Sequence, residues 1–222
     1  PRLERLLRLV DIGRPRRVAR LCARMRELVL AAPLPDPVRE ALAQAARDLA
    51  PGGERLAVRS SAVAEDGSRS FAGQYASELD VAPGDLEQAC RRVLASKYRP
   101  RAVTYRVLNG LSDAETPMAV LIMPMIPADV SGAMQTGGPG QAIQVFALAG
   151  AGAELMHGRA TPRRVVLSGE VPARVLEDSG GEPAALDQAL FDDLSGAART
   201  LEQALGGPQE VEWARDGEGR LF

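Results

Sequence analysis

The sequence has very few of the residues that build metal centres and disulfide frameworks. Its 222 residues include two cysteines and one histidine. Cys22 and Cys90 have no CxxC spacing and no histidine cluster near them, which excludes a Cys/His zinc site. With no disulfide framework in the pattern, we expect reduced thiols and a cytoplasmic location.

Long apolar runs and an excess of basic charge are also missing. No apolar run reaches the roughly 18 residues that a membrane span requires. The most apolar stretch, 118–126, is interrupted by Pro124 and is predicted to be a buried strand. No signal-peptide pattern opens the chain. The formal net charge is −2, which argues against a nucleic-acid partner bound by bulk electrostatics. Lys97 is the only lysine among 27 basic residues.

Apolar periodicity predicts helices first and mainly antiparallel strands later, an α+β class. Asp36 is predicted to cap the second helix, with Pro37 in its first turn. The predicted helices cover 16–31, 36–50, 85–98, 100–110 and 186–205. The predicted strands cover 55–59, 118–125, 130–135, 141–147, 163–167, 171–176, 210–214 and 220–222.

Arg59, Ser60 and Ser61 form the first candidate site, at the end of a predicted strand and the start of a small-residue loop over 60–73. A guanidinium is a fixed bidentate fork for phosphate, and serine hydroxyls and loop N–H groups can bind phosphate oxygens. A solvated arginine before an ordinary loop accounts for the residues equally well. On this chemistry alone, the segment is a hypothesis for polyphosphate binding.

Glu210 and Glu212 form the second candidate site. Because they lie two apart on a predicted strand, both side chains point to one face, and two carboxylates can hold Mg²⁺ beside phosphates. Spacing alone favours a solvent-exposed acidic face. The glycine-rich stretch 150–162 is a weaker signal. His157 within it is interpreted as a structural histidine, since no acid or nucleophile is placed around it.

Several segments, in one order along the chain, resemble the nucleotide-binding domain of the pyruvate phosphate dikinase / phosphoenolpyruvate synthase family. They are VRSSAVAED at 58–66, SFAGQ at 70–74, RAVTYR at 101–106, DVSG at 129–132, GRATP at 158–162 and PQEVEWA at 208–214. The resemblance covers about residues 20–222. It implies an ATP-grasp fold of two α+β lobes that close on ATP, within a single domain that is incomplete at both ends. By this resemblance, 1–50 is a helical lead-in, 51–116 the first lobe and 117–222 the second.

The resemblance also implies roles for individual residues. Arg59 would be the catalytic group that holds the ATP phosphates, with Ser60 and Ser61 in the adjoining loop. Met123 and Met125 would lie along the adenine. The remaining implied ligands are Glu212 and Glu210 for Mg²⁺, and Glu154, which lies one position after the family's glutamate and could take its place.

The implied activity is that of a water-dikinase or rifampin-phosphotransferase-like enzyme. With ATP and Mg²⁺, such a domain phosphorylates a histidine on a separate swivelling domain and releases AMP. The isolated segment is expected to be inactive, because the family's GGKGANL lysine and its LLQxRP motif are not in it. Pro124 stands where the family has arginine, Ala153 stands where it has glutamate, and the segment 131–139 is shortened.

These departures leave open an alternative, a degenerate ATP-grasp domain that binds a nucleotide or partner without catalysis. A structural domain with no ligand requires the motif matches to be coincidence.

Overall fold

The computed structural model describes residues 2–63, 75–138, 140–151, 161–182 and 186–222. The chain divides into two compact units, Pro1–Met125 and Ile126–Phe222, called here unit 1 and unit 2. Within the described ranges, no helix is both long enough and apolar enough to cross a membrane.

Unit 1 contains five helices and three strands among its described residues. In chain order they are α1 (Arg2–Leu7), α2 (Pro15–Ala31), α3 (Asp36–Leu49), β1 (Leu56–Ala62), β2 (Ser77–Val81), α4 (Leu86–Ser96), α5 (Pro100–Leu108) and β3 (Met118–Pro124), with a 3₁₀ turn at Pro83–Asp85. The predicted helices are confirmed to within two residues at their ends. Asp36 is not the N-cap: Pro35 holds that position in extended geometry, and no side chain caps the helix.

The sheet of unit 1 has the order β2-β1-β3, with both pairings antiparallel. Leu56 and Val58 of β1 are fully buried with apolar residues of α4, including Ala89 and Val93. Strand β1 continues through Ser60 and Ala62, so the predicted loop begins later than 60. Arg59, Ser60 and Ser61 therefore all lie within the regular strand.

Strand β3 differs from its prediction in two respects. Its burial alternates, because Val120 and Ile122 pack against the core whereas Leu121 is 50% exposed and Met123 is 38% exposed. The strand is therefore open on one face and not fully buried. It pairs with β1 along its whole length, so it belongs to unit 1, although the sequence assigned it to the lobe beginning at 117.

Unit 2 is an antiparallel sheet of five strands with one long helix among its described elements. They are β4 (Ala128–Gln135), β5 (Ile143–Ala149), β6 (Arg163–Leu167), β7 (Val175–Asp178), α6 (Gln188–Leu205) and β8 (Glu210–Asp216). The strand order is β7-β6-β5-β4-β8. Apolar residues of α6, such as Leu190 and Leu194, share one core with strand residues and Trp213. Asp187 caps α6 by accepting a hydrogen bond from the Leu190 N–H, and Gly206 ends it in the left-handed conformation.

The β6–β7 hairpin is longer at its turn than predicted. Strand β7 begins at Val175 and not at Val171, because Ser168 and Arg174 close the turn through two hydrogen bonds of 2.8 and 2.9 Å. The final hairpin is confirmed by mutual backbone hydrogen bonds between Ala214 and Phe222.

The β6–β7 pair carries an ion pair whose strength depends on pH. The Arg163 guanidinium contacts both carboxylate oxygens of Asp178, at 3.0 and 2.6 Å. These contacts, with the Gly180 N–H, hold the pKa of Asp178 at about 2, below its ordinary value of about 3.9. The pair therefore stabilises the fold fully above about pH 4 and loses this contribution as the pH falls towards 2.

We expect the urea midpoint of unit 2 to fall between about pH 4 and pH 2, measured by fluorescence of the single tryptophan, Trp213, which is in its core. Asp178→Asn should be less stable than wild type above this window and should show a smaller decline through it. Identical pH profiles for the two proteins would contradict the assignment.

Both cysteines are buried in unit 1, Cys22 at 0% and Cys90 at 3% exposure. Burial raises the pKa of both thiols, that of Cys90 to about 11. We therefore expect a disulfide-exchange reagent at mildly alkaline pH to titrate neither thiol in the native protein and both after unfolding in guanidinium. Rapid reaction of either thiol in the native state would contradict this packing.

Candidate functional site

Arg59 lies in the middle of the central strand of unit 1. It is paired with Leu121 of β3 on one side and Ser77 of β2 on the other. Its side chain is exposed, and no described residue forms an ion pair with its guanidinium. A guanidinium held on a regular strand and not engaged by a described carboxylate is available to an anionic ligand.

The two serines that follow Arg59 point to opposite faces of β1. Ser61 is exposed on the same face as Arg59, whereas Ser60 is half-buried on the other, as the period of a strand requires. The structure therefore brings Arg59 and Ser61 together on the open face and separates Ser60 from them.

Apolar side chains flank Arg59 on the same open face. Leu121 is directly across from Arg59, and Met123 is across from Ala57. Met125 follows the strand, and its N–H donates to the Arg55 carbonyl at 2.8 Å. The face thus combines a cationic fork with exposed apolar surface. Sequence reasoning missed Leu121, although the alternation along 118–124 could have shown that it shares a face with Met123.

Glu210 and Glu212 lie on β8, an edge strand of unit 2, and both are exposed. Val211 and Trp213, between and after them, pack into the core. The two carboxylates therefore share the face of the sheet opposite the core, as their spacing predicts. Across the ladder, Glu210 is opposite Gln135 and Glu212 is opposite Ala133 of β4.

A row of polar side chains extends from these carboxylates across the sheet. Gln135 is paired in turn with Gln144 of β5, and the Gln144 Oε1 accepts from Arg164 of β6 at 3.2 Å. The Arg164 guanidinium also contacts Glu177 at 2.9 Å. Sequence reasoning did not single out Gln135, Gln144 or Arg164, because their neighbourhood depends on strand register.

The donor chemistry of this row fits a hard divalent cation. Glu210 and Glu212 form no ion pair with a described residue, and Mg²⁺ is bound by one or two carboxylates with water and phosphate completing its coordination. Within the described parts of the chain, no group of three His, Cys, Asp or Glu residues could hold a metal. Among the described residues, Glu210 and Glu212 are therefore the candidate protein ligands for a divalent cation. Glu154, Ala153 and His157 lie outside the described residues.

The DVSG segment anchors the start of the glycine-rich stretch. The Gly150 N–H donates to the Asp129 carbonyl at 2.8 Å. The hydroxyl of Ser131, which is 5% exposed, donates to the Gly150 carbonyl. Gly150 itself has φ of +71°, a conformation that favours glycine. These contacts fix where the chain leaves β5.

The only lysine is part of a buried network and is not free to bind a ligand. Lys97 is 9% exposed, and its Nζ lies 3.1 Å from the Asp113 carboxylate and 3.0 Å from the Asp113 carbonyl. Tyr98 donates to the same carboxylate at 3.1 Å, and Arg106 donates to the Lys97 carbonyl at 2.8 Å. Lys97 therefore joins the end of α4 to the segment before β3.

The family profile described as the pyruvate phosphate dikinase AMP/ATP-binding domain matches residues 1–183 of this sequence. The chain belongs to this family. This confirms the resemblance carried by the motifs, and it places Arg59 and Ser61 within the part of the sequence that matches a nucleotide-binding domain.

Individual relatives agree with the family profile. Rifampicin phosphotransferase of a Streptomyces species is 36% identical over 98% of this chain, and the aligned part is 28% of that protein. Probable phosphoenolpyruvate synthase of Pyrococcus abyssi is 27% identical over 89% of this chain and 29% of that protein. Phosphoenolpyruvate synthase of Pseudomonas aeruginosa is 26% identical over 100% of this chain and 33% of its own length. The chain thus spans about a third or less of these curated relatives.

Proposed function

We propose that this chain is the ATP-binding part of a dikinase-type phosphotransferase. The observation that carries the proposal is the open face of β1, where Arg59 is exposed in the middle of the strand with Leu121 across from it. That arginine stands in a VRSSA sequence within the segment matched to the AMP/ATP-binding family.

In this proposal Arg59 binds the phosphates, and Ser61 binds through its hydroxyl on the same face. A guanidinium makes two parallel charge-assisted hydrogen bonds to phosphate oxygens, which both neutralises and orients the group. Met123 and Met125 would contact the adenine, and Leu121 adds to the same apolar surface. Ser60 would contribute less directly than Ser61, since its side chain lies on the other face of β1.

Mg²⁺ would be held by Glu212 and Glu210 on β8, with Glu154 as a further nucleotide ligand. When bound, the metal ion supplies charge neutralisation at the phosphate oxygens. The protein residues orient the carboxylates: Val211 and Trp213 are packed in the core, which keeps Glu210 and Glu212 on the opposite face.

The whole protein would transfer the β- and γ-phosphoryl groups of ATP together to a histidine on a separate swivelling domain, in the cytoplasm, which leaves AMP. Water would then remove the outer group as inorganic phosphate and leave a phosphohistidine. One relative is named for phosphate transfer to rifampicin and another for the synthesis of phosphoenolpyruvate. A rifamycin or pyruvate is accordingly the kind of acceptor proposed for this protein. A second candidate function is nucleotide binding without catalysis. It is favoured by Pro124, which ends β3 where the family has an arginine.

Calorimetry of ATP binding to the 222-residue chain tests the proposal. We expect one ATP per chain, bound more tightly with Mg²⁺ than with EDTA. In Glu212→Gln, removal of one of two carboxylate ligands should remove this Mg²⁺ dependence, because Mg²⁺ is held by only a few direct protein ligands.

Glu170→Gln is the matched control in unit 2. Glu170 is exposed and paired with Arg174 at 2.9 Å, so its loss should leave the Mg²⁺ dependence of ATP binding as in wild type. If Glu212→Gln keeps the full Mg²⁺ dependence, Glu210 and Glu212 are not metal ligands and form only an exposed acidic face. Absence of ATP binding to the wild-type chain would contradict the proposal itself.

A further inference from the structure

Positive charge is concentrated at the start of the chain. The first 26 residues contain nine arginines and only two acidic residues, Glu4 and Asp11, a formal charge of +7. Because the whole chain carries −2, the remaining residues together carry −9. The charge of the protein is therefore strongly uneven along its sequence.

Most of these arginines have no anionic partner in the described structure. Two ion pairs form locally, Arg14 with Asp11 at 3.2 Å and Arg24 with Glu27 at 3.0 Å. The other exposed arginines of this segment form no ion pair with a described residue. They are Arg2, Arg5, Arg8, Arg16 and Arg20.

Three of the five arginines of α2 lie along one exposed side of the helix. Arg16, Arg20 and Arg24 are four residues apart and exposed, whereas Val18 and Cys22 are buried against the rest of unit 1. Like charges four residues apart on a helix repel one another. The Arg24–Glu27 pair offsets part of this repulsion, and an anionic group that approaches Arg16 and Arg20 would reduce it further.

Apolar side chains are exposed between the two arginine-bearing helices. Leu9 is 48% exposed and Ile12 is 37% exposed, and both are in the connection from α1 to α2. Arginine is enriched at protein–protein interfaces, and the exposed Leu9 and Ile12 can supply apolar contact area there. We call these five unpartnered arginines, with Leu9 and Ile12, the arginine surface.

We propose that the arginine surface binds an acidic protein segment that also presents an apolar side chain. Because the arginine surface is positively charged, its partner should carry negative charge. A protein segment fits better than a nucleic acid, because it can present an apolar side chain to Leu9 and Ile12, whereas a nucleic acid presents mainly phosphates to a basic surface. This interaction goes beyond ATP binding and uses none of the residues proposed for it.

Fluorescence anisotropy with the full 222-residue chain tests the proposal. The probe is a labelled peptide of four Glu-Glu-Leu repeats, compared with four Glu-Glu-Gly repeats and with an oligothymidylate of twelve nucleotides. The Glu-Glu-Leu peptide should bind wild type more tightly than the other two probes, and added salt should weaken its binding. Arg16→Glu with Arg20→Glu should weaken binding by at least about tenfold.

Arg39→Glu with Arg47→Glu on α3 changes the net charge equally at exposed positions and should bind the peptide as wild type does. Circular dichroism melting should show both double variants folded. Equal loss in the two double variants would assign the effect to net charge and overturn the proposal. Tighter binding of the oligothymidylate, or equal binding of the glycine and leucine peptides, would also overturn it.

Discussion

Replacing Arg59 with alanine is expected to weaken ATP binding by one to two orders of magnitude, with little change in the stability of the fold. A hydrogen bond to a charged group contributes about 1.5–3 kcal/mol, which corresponds to roughly 10- to 150-fold in affinity. The fold should tolerate the change because the side chain is exposed and no described residue is ion-paired with it. Calorimetry of ATP binding and a urea titration measure the two effects separately.

Two further variants show which property of Arg59 matters. Arg59→Lys keeps the charge and loses the bidentate fork, so its ATP affinity should lie between those of wild type and Arg59→Ala. Arg39 is also exposed in unit 1, on α3, where it pairs with Asp36, and Arg39→Ala should leave ATP affinity unchanged. If Arg59→Ala folds normally and binds ATP as wild type does, the phosphates bind elsewhere and the assignment is wrong.

The helices were predictable from the sequence because their signals are local. The apolar period of α2 and the glycines after α5 and α6 lie within a few residues of the boundaries that they set. Strand β2 was missed. Its five residues, SELDV, include three polar or acidic side chains, Asp80 has φ of +56°, and its register with β1 shifts between Leu56 and Val58. An irregular edge strand of this kind leaves no period-two pattern to detect.

The candidate site was predictable only where its residues lie on one strand. Glu210 and Glu212 share a face because strand geometry alone requires it, and Arg59 was found from its motif. Leu121 and Gln135 were missed, because their positions opposite Arg59 and Glu210 depend on cross-strand register. Register is set by the pairing of distant segments and by which face of each strand is buried, and neither is encoded locally.

Gly132 illustrates a motif residue whose requirement is clear only from the structure. It pairs with Ala147 of β5 and Trp213 of β8. A Cβ added to Gly132 would lie 1.8 Å from the carbonyl oxygen of Phe146 and 2.9 Å from its carbonyl carbon. Both atoms are backbone, so relief of the clash requires β4 and β5 to move apart. The glycine of the DVSG sequence is therefore required by close approach of two strands.

Gly132→Ala is accordingly expected to destabilise unit 2 by about 3 kcal/mol or more, a loss in the upper range for single substitutions. Gly196→Ala is the matched control, because an added Cβ there meets nothing within 4 Å and Gly196 lies inside α6. Helix propensity predicts that this second substitution stabilises the fold by up to about 1 kcal/mol. Urea unfolding followed by circular dichroism, with Trp213 fluorescence as a second probe, should therefore move the two midpoints in opposite directions. A Gly132→Ala midpoint near that of wild type would mean that β4 and β5 can separate at low cost, and that the close contact does not explain the glycine.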